Sequence, residues 1–328
     1  LTVFQRTANF CAPLRNSPID AQTQREIKAS YPEIFKKCME TPGSFVHQFD
    51  PRSAMEVSPA ERLEQYERLW AGPGFKKWLA NFHDVMIPGQ ANEDYAEFVR
   101  NKIRERVHDP VVAEMLVPKD HMFGSKRLPC ESGYYEVYNQ DNVLLVDVRA
   151  APIERITPKG VKTADAEYDF DVIIYATGYD AVTGALLNID IHGNGGQTLK
   201  QKFVDGPRTY MGIQSVGFPN LFTINAASVG NFVRAAEPLV EWTTECIRYI
   251  RDNEFTRISP TLEAEDAWVK HVNEDGEKTL RTKTDNWFIG ANIPGKARAL
   301  LMAPDSAPAM RAKRAAVAAN GYEGFVLE

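Results

Sequence analysis

The stretch GANIPGK, residues 290–296, fits the first seven positions of the phosphate-binding pattern GxxxxGK[ST]. The eighth position is Ala297, so the hydroxyl that would hold Mg²⁺ is missing, and Pro294 removes a backbone N–H that a phosphate cradle would use. HGNGGQT offers Gly193 and Gly195, but Thr198 stands where the third glycine of a GxGxxG loop belongs. No helical pattern opens there, and a turn is expected. No GxSxG or HExxH occurs, and no Ser/His/Asp set can be picked from spacing. The six histidines are scattered, as are Cys11, Cys38, Cys130 and Cys246, and no cysteine pair has CxxC spacing. The sequence therefore predicts neither a metal site nor a disulfide framework, and a reducing, cytoplasmic setting.

Hydrophobic residues make up 44% and charged residues 25% of the 328, and the net charge is −6. This is the composition of a folded globular protein, and its acidic balance argues against a general binder of nucleic acid or membrane surfaces. No apolar run is long enough to cross a bilayer.

These residues need elements to position them. The chain opens on LTVF, the residues of a buried strand, which breaks off at Gln5-Arg6-Thr7. Residues 21–108 read as mostly helical. AERLEQYERLWAG places Leu63, Tyr66, Leu69 and Trp70 on one helical face, with Gly72 as the stop. ANEDYAEFVRNKIRERV repeats the pattern with Tyr95, Phe98, Val99 and Ile103, and Asn92 is its expected N-cap.

Three β-like runs follow. They are VLLVDV, then IERITPKGVKT as a hairpin turning at Pro158-Lys159-Gly160, then YDFDVIIYATGYD, whose residues 172–175 read as a central buried strand. Further helices are expected through EPLVEWTTECIRYIRDN, from near Ser259-Pro260, and over 308–320 with Gly321 as its end. The order of strand, helical block, strands and mixed α/β predicts a helical block inserted between strands of one sheet. The first strand then pairs with strands that arrive much later in the chain.

One run carries more. In YDFDVIIYATGYD a small residue and a glycine, Ala176-Thr177-Gly178, stand at the carboxyl end of an apolar strand, where backbone can come close to a ligand or another segment. This resembles the ATG motif of two-dinucleotide flavoproteins. Together with KRLPCESGYYEVYNQDNV, GPRTYMGI, GFPNLFTIN, WFIGANIPGK and GYEGF, in order and at similar spacing, it resembles the Baeyer–Villiger monooxygenases, the class B flavoprotein monooxygenases.

The resemblance implies an α/β, two-dinucleotide-binding (Rossmann-like) flavoprotein with a helical insertion in its NADPH domain, of which this chain is the C-terminal portion. Residues 1–14 would end the first segment of the NADPH domain, 15–122 form the helical insertion, 123–180 return to the NADPH domain and its ATG linker, and 181–328 form the C-terminal part of the FAD domain. The glycine-rich FAD and NADPH loops would precede residue 1, on the same gene or a separate chain. FAD and NADPH are the implied cofactors, a ketone and O₂ the implied substrates, and an ester or lactone the implied product. A flavin monooxygenase acting on sulfur or nitrogen, and a non-catalytic partner chain, are the alternatives.

By the same resemblance Arg6, with Thr7 and Lys126, would hold the 2′-phosphate of NADPH through a planar fork, a hydroxyl and a second charge. Arg127 would be the catalytic cation that steadies a negatively charged oxygen species, unless an ion pair with Asp141 or Glu131 occupies it. Thr177 and Gly178 would lie at the domain seam, and Trp287 would contact NADP unless it only packs a core. One departure from the family is the loop over 226–238, which reads as shortened. The LLMAPDSAPAM segment after the GK is another.

Overall fold

Thr2 pairs with Leu144 and Gln5 with Asp147, so the first strand is joined in parallel to one that arrives after the whole helical block. The computed structural model in which this ladder is seen describes residues 1–224 and 230–328. The described residues divide into two units, Leu1–Asn16 with Asp50–Gly178, and Ser17–Phe49 with Tyr179–Glu328. The architecture is mixed α/β, with short strands and longer helices.

In the first unit β1 (Thr2–Gln5) pairs with β4 (Leu144–Asp147), and β2 (Ala12–Pro13) pairs in parallel with β3 (Cys130–Glu131). The expected hairpin forms from β5 (Ile153–Ile156) and β6 (Gly160–Thr163), and β7 (Glu167–Asp169) adds a third antiparallel strand. Between the two halves of the parallel pairs lie the helices Pro59–Ala71, Gln90–Arg104 and Pro110–Leu116.

The apolar faces of the first two meet in a core built on Phe10, Tyr66, Trp70, Phe82, Tyr95 and Phe123, while Pro110–Leu116 packs Ala113 and Leu116 into a second core with Ile103, Tyr135 and Leu145. Tyr95 is fully buried, with the Tyr66 and Phe123 rings edge-on at 4.7 and 4.8 Å. Aromatic pairs in this geometry add stabilisation beyond the area they bury.

Four expectations change here. Leu63 points to solvent at 53% exposure, while Tyr66, Leu69 and Trp70 are buried, so the apolar stripe begins one turn later than its spacing suggested. Asn92 is not an N-cap, because the helix Gln90–Arg104 starts behind Gly89. Its amide, buried inside the helix, donates to the carbonyls of Val85 at 2.7 Å and Phe123 at 2.8 Å. Residues 172–175 form no strand. Val172 is 73% exposed and Ile174 85%, and among the described residues no strand pairs with them. A run this apolar reads as central when neighbours cover both faces, and this unit supplies none. The block expected over 15–122 is divided, since residues 17–49 pack with the second unit.

In the second unit the helices Phe232–Asp252, Leu262–Gly276 and Ala307–Ala319 surround a core of Leu239, Trp242, Cys246, Trp268, Met310 and Tyr322. Strands β8 (Ile258–Pro260) and β9 (Phe325–Leu327) pair antiparallel at its edge. The segment 17–49 is tied in by Ala307 N donating to Pro42 O at 2.8 Å and Asn231 N to Gly43 O at 2.9 Å. HGNGGQT turns as expected but also opens a short helix, Leu199–Lys202, through a capping box on Thr198 and Gln201. No helix among the described residues is long and apolar enough to cross a membrane.

Candidate cofactor and active site

In parallel α/β sheets ligands bind beyond the carboxyl ends of the strands. Beyond the ends of β1 and β4 lies a cleft of about 630 Å³. Arg6, Thr7 and Arg149 line one part of it, and Val111, Met115 and Val117 give it an apolar part. Arg6 is exposed, and among the described residues no carboxylate pairs with it. Three carboxylates also line the cleft, each with partners of its own. Glu114 is paired with Arg104 at 2.6 Å and Lys119 at 2.8 Å, which hold it down at about 2. Asp147 accepts from the Arg149 backbone N–H at 2.8 Å. Asp120 accepts from Arg149 Nη2 at 3.0 Å, and that same nitrogen donates to Thr7 Oγ1 at 2.8 Å.

Asp120 leads inward to a buried histidine. His121 Nδ1 lies 2.7 Å from Asp120 Oδ1, and its Nε2 lies 3.2 Å from Asn9 Oδ1. Burial opposes ionisation of Asp120, but its bonds from His121 and Arg149 and the nearby Lys126 charge outweigh it and hold the carboxyl below its ordinary value. Burial likewise holds the His121 imidazole below its ordinary value, against the pull of Asp120. Lys126 thus acts electrostatically on Asp120, the carboxylate that Arg149 links to Thr7.

Asn9 continues the connection, since its Nδ2 donates to the backbone carbonyl of Arg127 at 3.2 Å. The Arg127 guanidinium is exposed and lies over the rings of Phe75 at 5.2 Å and Trp78 at 5.5 Å. Aromatic faces attract a guanidinium and restrict it without cancelling its charge. The rival ion pair does not form, because Glu131 is held by Arg106 at 2.8 Å and no carboxylate among the described residues pairs with Arg127. The loop that delivers Lys126 and Arg127 turns at Gly124, with φ of +81°, where a side chain would strike the tip of Met86.

Thr177 and Gly178 are exposed, and the boundary between the two units falls after Gly178. A Cβ at 178 would meet nothing, so the glycine answers to its φ of +89° rather than to a close approach. In the second unit Trp287 starts a 3₁₀ turn, Trp287–Ile289, and stacks on Phe288 at 3.9 Å, half-buried at the edge of a small apolar cluster. GANIPGK follows as a clamp. Asn292 Nδ2 donates to Tyr179 O at 2.9 Å, and Lys296 Nζ bonds Thr183 Oγ1 at 2.8 Å and pairs with Asp180. The lysine of this near-phosphate motif is therefore engaged in tying the Trp287 loop to the residues after the ATG.

The shortened-loop expectation at 226–238 lies partly outside the described residues, which resume at Gly230. Its latter part is helix, N-capped by Asn231, whose side chain accepts from Arg234 N. Among the described residues no cluster of histidine, cysteine or carboxylate groups could hold a metal ion.

Arg6, Thr7, Lys126 and Arg127, the residues the resemblance singled out, lie in one unit. Sequence reasoning missed Arg149, Asp120, His121 and Asn9. The signal for Arg149 was available in VLLVDVRA, where an arginine follows a strand end just as Arg6 follows β1. The pairing that makes the two ends neighbours was not.

A cationic, hydroxyl-bearing edge beside an apolar patch suits a phosphorylated adenosine, so the residues fit NADPH. For FAD the chain supplies no GxGxxG loop at a strand-to-helix turn, so the described residues do not build that cofactor's pyrophosphate cradle.

No family model matches the chain. Individual proteins do. The chain is 44% identical, over all its length and 61% of the relative's, to 2-oxo-Δ³-4,5,5-trimethylcyclopentenylacetyl-CoA monooxygenase of Pseudomonas putida. It is 40% identical, over all its length and 60% of the relative's, to cyclopentanone 1,2-monooxygenase of Comamonas sp.. Among solved structures, OTEMO in complex with FAD and NADP superposes with a TM-score of 0.96 at 44% identity, over all of this chain and 61% of that one. Cyclohexanone monooxygenase from Rhodococcus sp. Phi1 bound to NADP⁺ does so with a TM-score of 0.96 at 35% identity, over all of this chain and 62% of that one. The chain thus spans about three-fifths of the length of the curated relatives it matches.

Proposed function

We propose that the chain belongs to the Baeyer–Villiger monooxygenase family and is part of an FAD- and NADPH-dependent enzyme that inserts one oxygen atom of O₂ beside a ketone carbonyl, giving an ester or lactone. The relatives' names and the FAD and NADP complexes among the structural neighbours support this reading. The observation that carries it is Arg127, an exposed guanidinium without a carboxylate partner among the described residues, held over Phe75 and Trp78.

Bound flavin supplies the reduction–oxidation chemistry and the activation of O₂. The chain's own residues do the rest. Arg127 presents the planar donor fork of its guanidinium where negative charge develops on oxygen. Such a donor costs little reorganisation at the moment of reaction, because the aromatic faces hold the guanidinium and the Asn9 bond holds its backbone. Arg6 and Thr7 take the 2′-phosphate of NADPH in the cleft beyond β1, and Lys126 adds charge to the same group of residues. Trp287 presents a half-buried ring to the cofactor from a loop fixed by Asn292 and Lys296. Thr177 and Gly178 form the linker where the two units meet in sequence.

The finer architecture follows. β1 and β4 belong to a Rossmann-like NADPH domain, residues 1–14 and 123–180, interrupted by the helical insertion 15–122. Of that insertion, residues 17–49 pack with the FAD-domain part, 181–328. The glycine-rich loops for both dinucleotides come from residues outside this chain. The partial coverage of the relatives and the uncovered apolar run 172–175 support that last point. Four free cysteines suit a reducing cytoplasm.

The test is an absorbance spectrum and a product assay on the protein carrying this chain. A yellow protein that consumes NADPH and turns a cyclic ketone into its lactone supports the reading. A colourless protein without ester or lactone product overturns it.

A further inference from the structure

The register of β1 on β4 has a consequence at the carboxyl end of the pair. Gln5 lies opposite Asp147, and the ladder runs on with Val148 N donating to Gln5 O at 3.0 Å. The residues that follow each strand, Arg6-Thr7 on one and Arg149 on the other, therefore emerge side by side at the edge where parallel sheets bind ligands. Asp147 closes the turn after β4 by accepting from the Arg149 backbone N–H at 2.8 Å. The guanidinium then reaches back across the edge to Thr7 Oγ1 at 2.8 Å and Asp120 Oδ2 at 3.0 Å.

We propose that Arg149 is a specificity-determining residue for a 2′-phosphorylated adenosine, supplying with Arg6 the second guanidinium of the phosphate site. The proposal rests on the reading of Arg6 and Thr7 as that site. Three features support it. A threonine hydroxyl carries one proton and two acceptor lone pairs, so the bond from Arg149 leaves the Thr7 proton available for a phosphate oxygen. One fork engages two groups through a single nitrogen, Nη2, and its side chain remains 58% exposed, so its other donors are open to a ligand. The remaining acidic groups of the cleft are committed, Glu114 to Arg104 and Lys119, and Asp147 to the turn. Asp120 is the exception. Only Arg149 and His121 stand against its charge by direct bonds, so an enzyme without Arg149 presents to the phosphate a carboxylate whose Oδ2 has lost its cationic partner. Loss of the arginine thus removes an attraction and uncovers a repulsion.

The experiment is calorimetric titration of the FAD-loaded protein with adenosine 2′,5′-bisphosphate and, separately, with 5′-AMP, at one fixed ionic strength. The variants are Arg149→Gln, Arg149→Lys and Arg6→Gln, with melting temperatures recorded for each. Arg149→Gln is expected to weaken the bisphosphate roughly 10- to 100-fold, the scale of a lost charge-assisted hydrogen bond, and to leave 5′-AMP unchanged. Arg149→Lys falls between, because it keeps charge and loses the fork. If Arg6→Gln weakens the bisphosphate and Arg149→Gln does not, the proposal fails and the phosphate-site reading stands. If neither variant weakens it, both fail. If Arg149→Gln weakens both nucleotides equally, or only lowers the melting temperature, Arg149 is a structural clamp on Thr7 and the proposal fails.

Discussion

The side-chain amide of Asn9 donates to the backbone carbonyl of Arg127 at 3.2 Å, across 118 residues of sequence. Its oxygen faces His121 Nε2, and His121 leads through Asp120 and Arg149 to Thr7. The end of β1 and the loop carrying the proposed catalytic arginine are therefore joined by a continuous run of close polar contacts.

Replacing Asn9 by alanine removes the anchor of the Arg127 backbone while leaving every donor to a nucleotide phosphate in place. We expect kcat to fall about 10-fold, the order of effect of a small misplacement of a catalytic group. The dissociation constant for NADPH should stay near that of the parent. Steady-state kinetics and nucleotide titration check this together, and a change in affinity alone would place Asn9 in the nucleotide site instead.

Arg6→Ala removes the exposed guanidinium from the cleft. The KM for NADPH should rise by about 10-fold or more, and that for NADH far less, since only NADPH carries the 2′-phosphate. Parallel kinetics with the two nucleotides decide the point, and equal effects on both count against a phosphate contact.

His121 ties stability to pH. Its side chain is wholly buried and its pKa lies below the ordinary 6.5, chiefly because burial disfavours the charged ring. Between 6.5 and the lower folded value the unfolded chain binds a proton that the folded chain does not. Stability contributed by the neutral ring is thus present above 6.5 and lost as pH falls below it. Asp120 is shifted down from its ordinary 3.8, so its own loss comes at lower pH and does not mask this window. Urea unfolding on either side of pH 6.5 should show the fall, and His121→Gln should flatten it. An unchanged slope in the variant would mean that another group titrates.

Asn92→Leu leaves the Val85 and Phe123 carbonyls without their shared donor inside the core. Orphaned buried carbonyls cost about 1–3 kcal/mol each, so the variant should lose roughly 2–5 kcal/mol. Chemical denaturation measures it. A loss below about 1 kcal/mol would show that the two carbonyls find other donors.

Part of the fold was legible in the sequence, for identifiable reasons. Strand-like runs at the two ends of a helical block predicted that the first strand pairs with one arriving late, and Thr2 does meet Leu144. Helical spacing located the helices around Tyr66 and Tyr95, whose buried faces follow the period. Asn92 misled because an asparagine ahead of two acidic residues has the chemistry of a cap, whereas its partners here are carbonyls reached only through the fold. Residues 172–175 misled because composition reports what a segment can bury, not whether neighbours cover it. Arg149 went unnoticed because its meaning depends on the β1–β4 register. The phosphate and catalytic roles of Arg6 and Arg127 came from resemblance, since spacing alone gives ordinary solvated charges.

The most direct test of the account is Arg127→Ala in the protein carrying this chain, with flavin reduction by NADPH and lactone formation from a cyclic ketone followed separately. Reduction should remain measurable while lactone falls by a factor of about 10²–10³ or more, the scale for loss of a preorganised donor. An unchanged lactone yield would contradict the role given to Arg127, and with it the proposed mechanism.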